Sequence, residues 1–139
     1  MNIIFLLHPK DTVQYLYDDN TIRQALEKLR RHSYTAVCVI KRSGEYVGTV
    51  TEGDFLWNLL DGGFANLREL EEYPVSSILR KDWNPPVTIS TGMDELLQRV
   101  MEQNFVPVVD DRGCFVGIIT RRDVIKNLTK QKNKMDAGI

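Results

Sequence analysis

Apolar residues recur along the chain with two spacings, one typical of helices and one typical of strands. Within 20–29 and again within 91–101 they return every three or four residues, which predicts a helix in each segment. Each helix is followed by a continuous apolar run, at 36–40 and at 105–109, with the length and composition of a buried strand. The same order of elements is therefore predicted twice.

Each of these strands leads into a turn, a second strand and a closing helix. The turns contain Gly44 and Gly113, and glycine tolerates the positive φ of a tight hairpin. The other predicted segments are the closing helices, 52–60 and 121–128, and two short strands ahead of the first helices, 13–16 and 87–89. Each half of the chain is thus predicted to be β-α-β-β-α.

Polar and aromatic residues add detail at the helices. Asn20 is the expected N-cap of the first helix, and Thr91 with Asp94 is expected to form a capping box on its counterpart. Trp57 lies one turn after Asp54 among apolar neighbours, which favours a core position. Beyond residue 128 the sequence is polar, and we expect it to fray.

The two halves are copies of one repeat. Residues 34–59 align with 103–128 at an offset of 69 without a gap, and nine of the 26 pairs are identical. Unrelated segments would share roughly one or two. The identical pairs are Val37/Val106, Val39/Val108, Gly44/Gly113, Val47/Val116, Gly48/Gly117, Thr51/Thr120, Asp54/Asp123, Asn58/Asn127 and Leu59/Leu128.

The repeat predicts the domain organisation. We expect a first repeat at 1–60, a connector at 61–84, a second repeat at 85–130 and a polar tail at 131–139. One unit of about 60 residues is marginally stable alone, whereas two that pack together bury a larger core. The expected fold class is α/β (α+β), with two β-α-β-β-α repeats packed pseudo-symmetrically.

The repeated polar string is Gly-x-x-Thr-x-x-Asp, where a strand ends and a helix begins. Thr51 with Asp54, and Thr120 with Asp123, have the spacing of a capping box. A second interpretation is a ligand site, because free N–H groups at a helix start favour a phosphate. An Asp one turn later can accept hydrogen bonds from a ribose. The two interpretations are compatible.

The tandem unit and this string resemble a pair of CBS (cystathionine β-synthase) domains. The resemblance covers about residues 10–128, and the second copy is the better match, from Phe105-Val106-Pro107 through Gly117-Ile118-Ile119-Thr120-Arg121-Arg122-Asp123. In the first copy Cys38 replaces the proline that Pro107 supplies in the second.

The resemblance implies two clefts that bind adenosine-containing ligands such as AMP, ADP, ATP or S-adenosylmethionine. Asp54 and Asp123 would hold the ribose, with Thr51 and Thr120 at the ribose or phosphate. The remaining expected contacts are Val13, Tyr34, Thr35, Ala36 and Val37 in the first cleft, and Val87, Thr88, Asn104, Phe105 and Val106 in the second.

Charge distinguishes the two motifs. Arg121 and Arg122 follow Thr120, whereas Glu52 and Gly53 follow Thr51. An arginine at a helix start opposes the helix dipole, and a bound phosphate would turn that penalty into a gain. We therefore expect Arg121 or Arg122 to contact phosphate, and phosphorylated ligands to prefer the second cleft.

Composition narrows the class of protein. Of the 139 residues 42% are apolar and 27% charged, with a net charge of -1, which is typical of a globular chain and not of a dedicated nucleic-acid binder. No apolar run approaches the roughly 20 residues of a membrane helix. Cys38, Cys114, His8 and His32 form no zinc or disulfide pattern. We expect a cytoplasmic protein that needs no metal to fold and has neither membrane nor nucleic acid as partner.

The expected function is regulatory binding of an adenine nucleotide, because the sequence contains no catalytic constellation. A cyclic di-AMP receptor is an alternative that the same layout resembles, although Asp11 stands where those receptors carry a basic residue. A sensor of S-adenosylmethionine is another. A structural dimerisation module with vestigial sites is the alternative from a different class.

The closing helices also predict a homodimer. Their apolar residues exceed what a core of this size covers, and two-fold dimers are the commonest assembly. CBS pairs commonly associate through these helices. The residues concerned are Leu56, Leu59, Leu60, Val124, Ile125 and Leu128. A regulated protein partner is a further expectation.

Overall fold

The computed structural model describes residues 2–32, 35–62, 66 and 68–137. In chain order the strands are β1 (His8–Pro9), β2 (Tyr15–Tyr17), β3 (Ala36–Ile40), β4 (Tyr46–Thr51), β5 (Val87–Thr88), β6 (Phe105–Val109) and β7 (Phe115–Thr120). The α-helices are α1 (Ile22–His32), α2 (Glu52–Leu60), α3 (Met93–Glu102) and α4 (Arg121–Ala137). The chain divides into two compact units, a first unit of Gln14–Pro85 and a second unit of Met1–Val13 with Pro86–Ile139.

The first unit contains a three-stranded sheet in the order β2-β3-β4. Strand β2 runs parallel to β3, and β3 and β4 form an antiparallel hairpin. The turn of this hairpin contains Gly44 at φ 107°, the positive value for which glycine was predicted. The core combines the sheet with one face of α1, and its fully buried residues include Ile22, Val39 and Val50.

The second unit contains a four-stranded sheet in the order β1-β7-β6-β5. Strands β5 and β6 are parallel, β6 and β7 form the hairpin, and β1 adds to β7 antiparallel. Gly113 has φ 81° in the hairpin turn. Leu96 of α3, Val106 of β6 and Ile119 of β7 lie fully buried in the core.

Each unit also contains a short segment that lies outside its own repeat in sequence. We call these segments, residues 3–8 and 75–80, the lead-in segments. The 3-10 helix Ile3–Leu6 packs into the core of the second unit. The 3-10 helix Val75–Ile78 packs into the core of the first. The segment that precedes one repeat in sequence thus packs with the other repeat, so the units do not coincide with the predicted segments 1–60, 61–84 and 85–130.

Both repeats have the predicted order β-α-β-β-α, and α2 has the predicted bounds. Helix α4 does not end near residue 128 but continues to Ala137, through the predicted polar tail. A mostly polar sequence sustains this extension because lysine and glutamine have good helix propensity. Among the described residues, no helix is both long and apolar enough to cross a membrane.

Two of the predicted helix caps are wrong. At α1 the hydroxyl of Thr21 accepts from the N–H of Gln24, while the Asn20 side chain accepts from the N–H of Tyr17. At α3 the N-cap is Gly92, because the hydroxyl of Thr91 accepts instead from the N–H of Thr88. In both places a local turn competes with the helix for the polar side chain.

The predicted core position of Trp57 is also wrong. Its side chain is 62% exposed, and the inward side of α2 is occupied by Asp54 and Phe55. Because residues two apart in a helix are about 200° apart around its axis, Trp57 points almost opposite to the buried Phe55.

Candidate ligand sites at the Thr-x-x-Asp motifs

In the first unit, Thr51 and Asp54 form the predicted capping box at the start of α2. The N–H and the hydroxyl of Thr51 donate to Asp54 Oδ2 at 2.8 and 3.0 Å. The N–H of Asp54 donates to Thr51 Oγ1 at 3.3 Å. This geometry buries the carboxylate, whose side chain is only 3% exposed.

The other oxygen of Asp54 is held by a residue that the motif did not indicate. Arg80 Nε lies 2.7 Å from Asp54 Oδ1. The guanidinium of Arg80 also stacks on Trp83, 3.9 Å from the ring centroid. A buried carboxylate needs such a partner, because an unpaired buried charge is strongly unfavourable. Both oxygens of Asp54 are therefore engaged within the protein.

In the second unit, the N–H of Asp123 donates to the hydroxyl of Thr120 at 3.2 Å, which matches the first half of the box. The Asp123 carboxylate turns instead to His8, whose Nε2 contacts Oδ2. This pairing is the main reason that the pKa of Asp123 lies below its usual range, with the Thr120 hydroxyl and the charge of Lys126 adding to it. The side chain is 30% exposed, far more than that of Asp54.

Strand β1 brings His8 to this position. His8 pairs with Ile118 and Pro9 with Gly117 in the antiparallel ladder. A Cβ on Gly117 would lie 2.2 Å from the carbonyl oxygen of His8, so only glycine allows the strand to approach this closely. The equivalent Gly48 faces only the flexible side chain of Leu79, at 3.5 Å.

His8 and Arg80 occupy equivalent positions in the two lead-in segments. Each stands two residues after its 3-10 helix, and each meets the aspartate of the motif in its own unit. The repeat alignment of 34–59 with 103–128 excluded both residues. Aligning the two lead-in segments with each other, at an offset of 72, would have matched them, because His8 follows Leu6-Leu7 and Arg80 follows Ile78-Leu79.

Some predicted site residues come together at the start of α4. Asn104, Arg121 and Arg122 line an open depression of ≈ 550 Å³, together with Ile125 and Lys126. Arg121 is partly committed, since its Nε donates to the carbonyl of Val100 at 2.6 Å. Arg122 and Lys126 are exposed and one helical turn apart. The depression therefore has a basic wall at a helix N-terminus.

The other predicted residues lie elsewhere. Thr88 lines a different depression of ≈ 650 Å³ with Asp110 and Asp111, and its hydroxyl is 3.0 Å from that of Ser90. The side chains of Val37, Val87 and Val106 belong to the cores. Thr35 is exposed, Val13, Ala36 and Phe105 are half-buried, and Tyr34 lies outside the described residues.

The family is established by comparison with known proteins. The CBS-domain family model matches residues 7–61 and 75–130. The chain belongs to the CBS-domain family. The first matched range contains His8, and the second contains Arg80. In sequence, therefore, each CBS repeat carries the residue that contacts the motif aspartate of the other repeat.

Two curated relatives match this chain over most of their own length. The chain is 31% identical to cyclic di-AMP receptor B of Bacillus subtilis over 125 residues, which are 86% of this chain and 81% of that protein. It is 30% identical to a CBS domain-containing protein of Dictyostelium discoideum over 122 residues, 81% of each chain.

Solved CBS structures confirm the fold class. CbpB in complex with c-di-AMP has a TM-score of 0.91 at 19% identity, covering 100% of this chain and 91% of that one. CBSX2 in complex with AMP has a TM-score of 0.75 at 23% identity, covering 94% and 98%. Among the described residues of this chain, no group of three or more His, Cys, Asp or Glu side chains is placed to hold a metal ion.

Proposed function

We propose that the protein is a regulatory module that binds an adenosine-containing nucleotide at the Thr120–Asp123 motif of its second unit. The observation that carries this proposal is the start of α4. There a partly exposed Asp123 lies on the same helical turn as Arg121 and Arg122, whose side chains line a basic depression. A carboxylate for ribose hydroxyls beside guanidinium groups for phosphate is the chemistry that a nucleotide requires.

The first motif differs in both features, because its aspartate is buried and the arginine beside it, Arg80, is paired with that aspartate. Asp54 is buried with its two oxygens engaged, and Glu52 and Gly53 follow Thr51 where the second motif has arginines. A phosphate at this helix start would meet a negative side chain. We therefore place the principal site at the second motif.

Two ligand classes are supported by relatives. Cyclic di-AMP receptor B and the CbpB complex favour cyclic di-AMP, and the CBSX2 complex favours AMP. Both classes present a ribose hydroxyl close to phosphate. Cyclic di-AMP carries two phosphates, which suits the two exposed cations Arg122 and Lys126.

The module acts by binding and not by catalysis, and a ligand regulates it by preferring one of two arrangements of the protein. We also propose that it works as a homodimer in the cytoplasm. The prediction that Val124 belongs to the dimer surface is wrong, because Val124 is buried in the core of the second unit. The exposed side chains of the other five residues support the dimer: Leu56, Leu59 and Leu60 on α2, and Ile125 and Leu128 on α4. The free thiols of Cys38 and Cys114 are consistent with a reducing compartment.

Thermal unfolding with AMP, ADP, cyclic di-AMP and S-adenosylmethionine tests the proposal. A ligand at 100 times its Kd should stabilise the protein by about 2.7 kcal/mol. Asp123→Asn should abolish most of this shift. Arg122→Ala should weaken the binding of ADP more than the binding of adenosine. Added salt should reduce that difference, because it screens the exposed cation.

Arg112→Ala is the matched control, since it removes an arginine from the exposed hairpin turn of the same unit. This variant should bind as the unaltered protein does. If none of the four ligands shifts the unfolding temperature, or if Asp123→Asn responds as fully as Arg112→Ala, the proposal is wrong.

A further inference from the structure

We infer that His8 and Arg80 determine which of the two motif aspartates can accept a ribose hydroxyl. His8 is an exchangeable partner that the hydroxyl replaces at Asp123, and Arg80 is a fixed partner that keeps Asp54 closed. This inference rests on the proposed nucleotide site and adds the residues that give that site its specificity.

The pairing of Asp54 with Arg80 is built to persist. The carboxylate is 3% exposed and receives Thr51 on one oxygen and the guanidinium on the other. Arginine is always charged, so the contact does not depend on protonation. Displacing the half-exposed Arg80 would leave the buried carboxylate of Asp54 uncompensated, and a neutral ribose hydroxyl cannot replace the charge of Arg80.

The segment that carries Arg80 is itself anchored to the first unit. Trp83 lies under the guanidinium at 3.9 Å. The side-chain amide of Asn84 donates to Thr49 Oγ1 at 3.1 Å, and the backbone carbonyl of Asn84 accepts from the Tyr46 hydroxyl at 2.9 Å. Asn84 is buried and has a positive φ of 55°, a conformation that the surrounding contacts must hold. Arg80 therefore has little freedom to leave Asp54.

The pairing of Asp123 with His8 has the opposite character. Arg80 and His8 are similarly exposed, at 48% and 46%, but His8 contacts Oδ2 of a carboxylate that is 30% exposed, against 3% for Asp54. Histidine, unlike arginine, does not carry a permanent charge. A ribose hydroxyl can donate to the same oxygen and so substitute for the imidazole without leaving a buried charge unpaired. The two aspartates thus share a motif but differ in how strongly a side chain of the protein holds each carboxylate.

Calorimetry with ADP and with 2′,3′-dideoxy-ADP tests the inference, because the two probes differ only in the ribose hydroxyls. The unaltered protein should bind ADP roughly 10-fold more tightly or better, the value of hydrogen bonds to a charged group. In His8→Arg the ratio should fall towards one, since a permanently charged partner then holds Asp123. In His8→Ala the ratio should persist.

Arg80→Ala tests the second part of the inference, the fixed pairing of Arg80 with Asp54. It should lower the unfolding temperature by roughly 5 °C, by removing the charge that compensates Asp54, and should leave the ADP ratio intact. Arg42→Ala removes an exposed arginine of the same unit, paired with Asp19, and serves as the matched control for both measurements. It should change neither the unfolding temperature nor the ratio.

The outcomes separate this inference from the proposed function. If the unaltered protein binds neither ADP nor cyclic di-AMP, both are overturned. If the unaltered protein discriminates between the probes and His8→Arg does so equally, only the role of His8 is overturned. Loss of the ratio in His8→Ala would make His8 a ligand contact and not a competitor. If Arg80→Ala loses the difference in affinity between the two probes, the site lies at Asp54. If Arg80→Ala unfolds at the same temperature as the unaltered protein, the fixed pairing of Arg80 with Asp54 is refuted.

Discussion

Asp54 and Asp123 occupy equivalent positions in the two CBS repeats, yet their surroundings differ. Asp54 is closed by Thr51 and Arg80, whereas Asp123 shares one oxygen with His8 and remains partly exposed. The two lead-in segments supply different partners, Arg80 to Asp54 and His8 to Asp123. The same pair of motifs can therefore combine one structural aspartate with one that is available to a ligand.

We predict that Gly117→Ala disrupts the second unit more than Gly48→Ala disrupts the first. The added methyl group would meet the backbone of His8 at 2.2 Å in one case and the flexible Leu79 side chain at 3.5 Å in the other. Overpacking against backbone typically costs about 1–3 kcal/mol. Urea unfolding of both variants measures this, and equal midpoints would contradict the placement of β1 on β7.

Cys38 should be unreactive in the folded protein. Burial raises the pKa of its thiol to about 12, so at pH 8 it presents no thiolate. Mass spectrometry after treatment with iodoacetamide should show modification at the partly exposed Cys114 alone, and at both thiols once the chain is unfolded. Equal labelling of the two thiols in native buffer would show that Cys38 is not buried.

The raised pKa of the Cys38 thiol also predicts how the stability of the protein depends on pH. Between the ordinary thiol pKa, near 8.5, and the raised value, the unfolded chain loses its proton and the folded chain keeps it. The contribution of Cys38 to stability is therefore fully present below about pH 8.5 and declines as the pH rises. Cys38→Ala should unfold with a weaker dependence on alkaline pH than the unaltered protein.

Each lead-in segment precedes one repeat in the sequence but packs into the core of the other repeat. Each is a single 3-10 turn, too short to be stable alone, and its buried residues supply part of a core that is otherwise built from the opposite repeat. A CBS repeat of this chain therefore cannot complete its own core.

Ile3→Ala should destabilise the protein by about 2–4 kcal/mol, because the residue is 1% exposed in the core of the second unit. Its neighbour Ile4 is 52% exposed, so Ile4→Ala should cost less than about 0.5 kcal/mol. Denaturant unfolding of this matched pair measures the contribution of the segment. If Ile3→Ala and Ile4→Ala both lower the free energy of unfolding by a similarly small amount, the 3-10 helix does not pack into the core.

Helix α2 brings several large apolar side chains to the surface. Leu56, Trp57, Leu59 and Leu60 are all more than half exposed, although a monomer rarely exposes so many neighbouring apolar residues. This surface supports the proposed homodimer.

Light scattering should give the mass of a dimer at micromolar concentration, and Leu60→Glu should shift it to that of a monomer, because a buried unpaired charge opposes association. Met101→Glu is the control, since Met101 is highly exposed on α3 and is not part of the apolar surface of α2. If the unaltered protein is a monomer at high micromolar concentration, or if Met101→Glu dissociates it equally, the dimer through α2 is wrong.

Much of this architecture was readable from local patterns. The order β-α-β-β-α, the turns at Gly44 and Gly113, the bounds of α2 and the family motif all follow from spacing and turn chemistry within a few residues. These features are predictable because backbone hydrogen bonds, hairpin geometry and helix amphipathicity act between near neighbours in sequence.

The character of each aspartate depended instead on contacts between distant residues. His8 lies 115 residues from Asp123, and Arg80 reaches Asp54 only because residues 75–80 pack with the first unit. The motif is the same in both repeats, and no local pattern encodes which side chain another segment delivers to it. Burial and charge compensation at a site are properties of the assembled core, so tertiary structure decided which aspartate is closed and which is available.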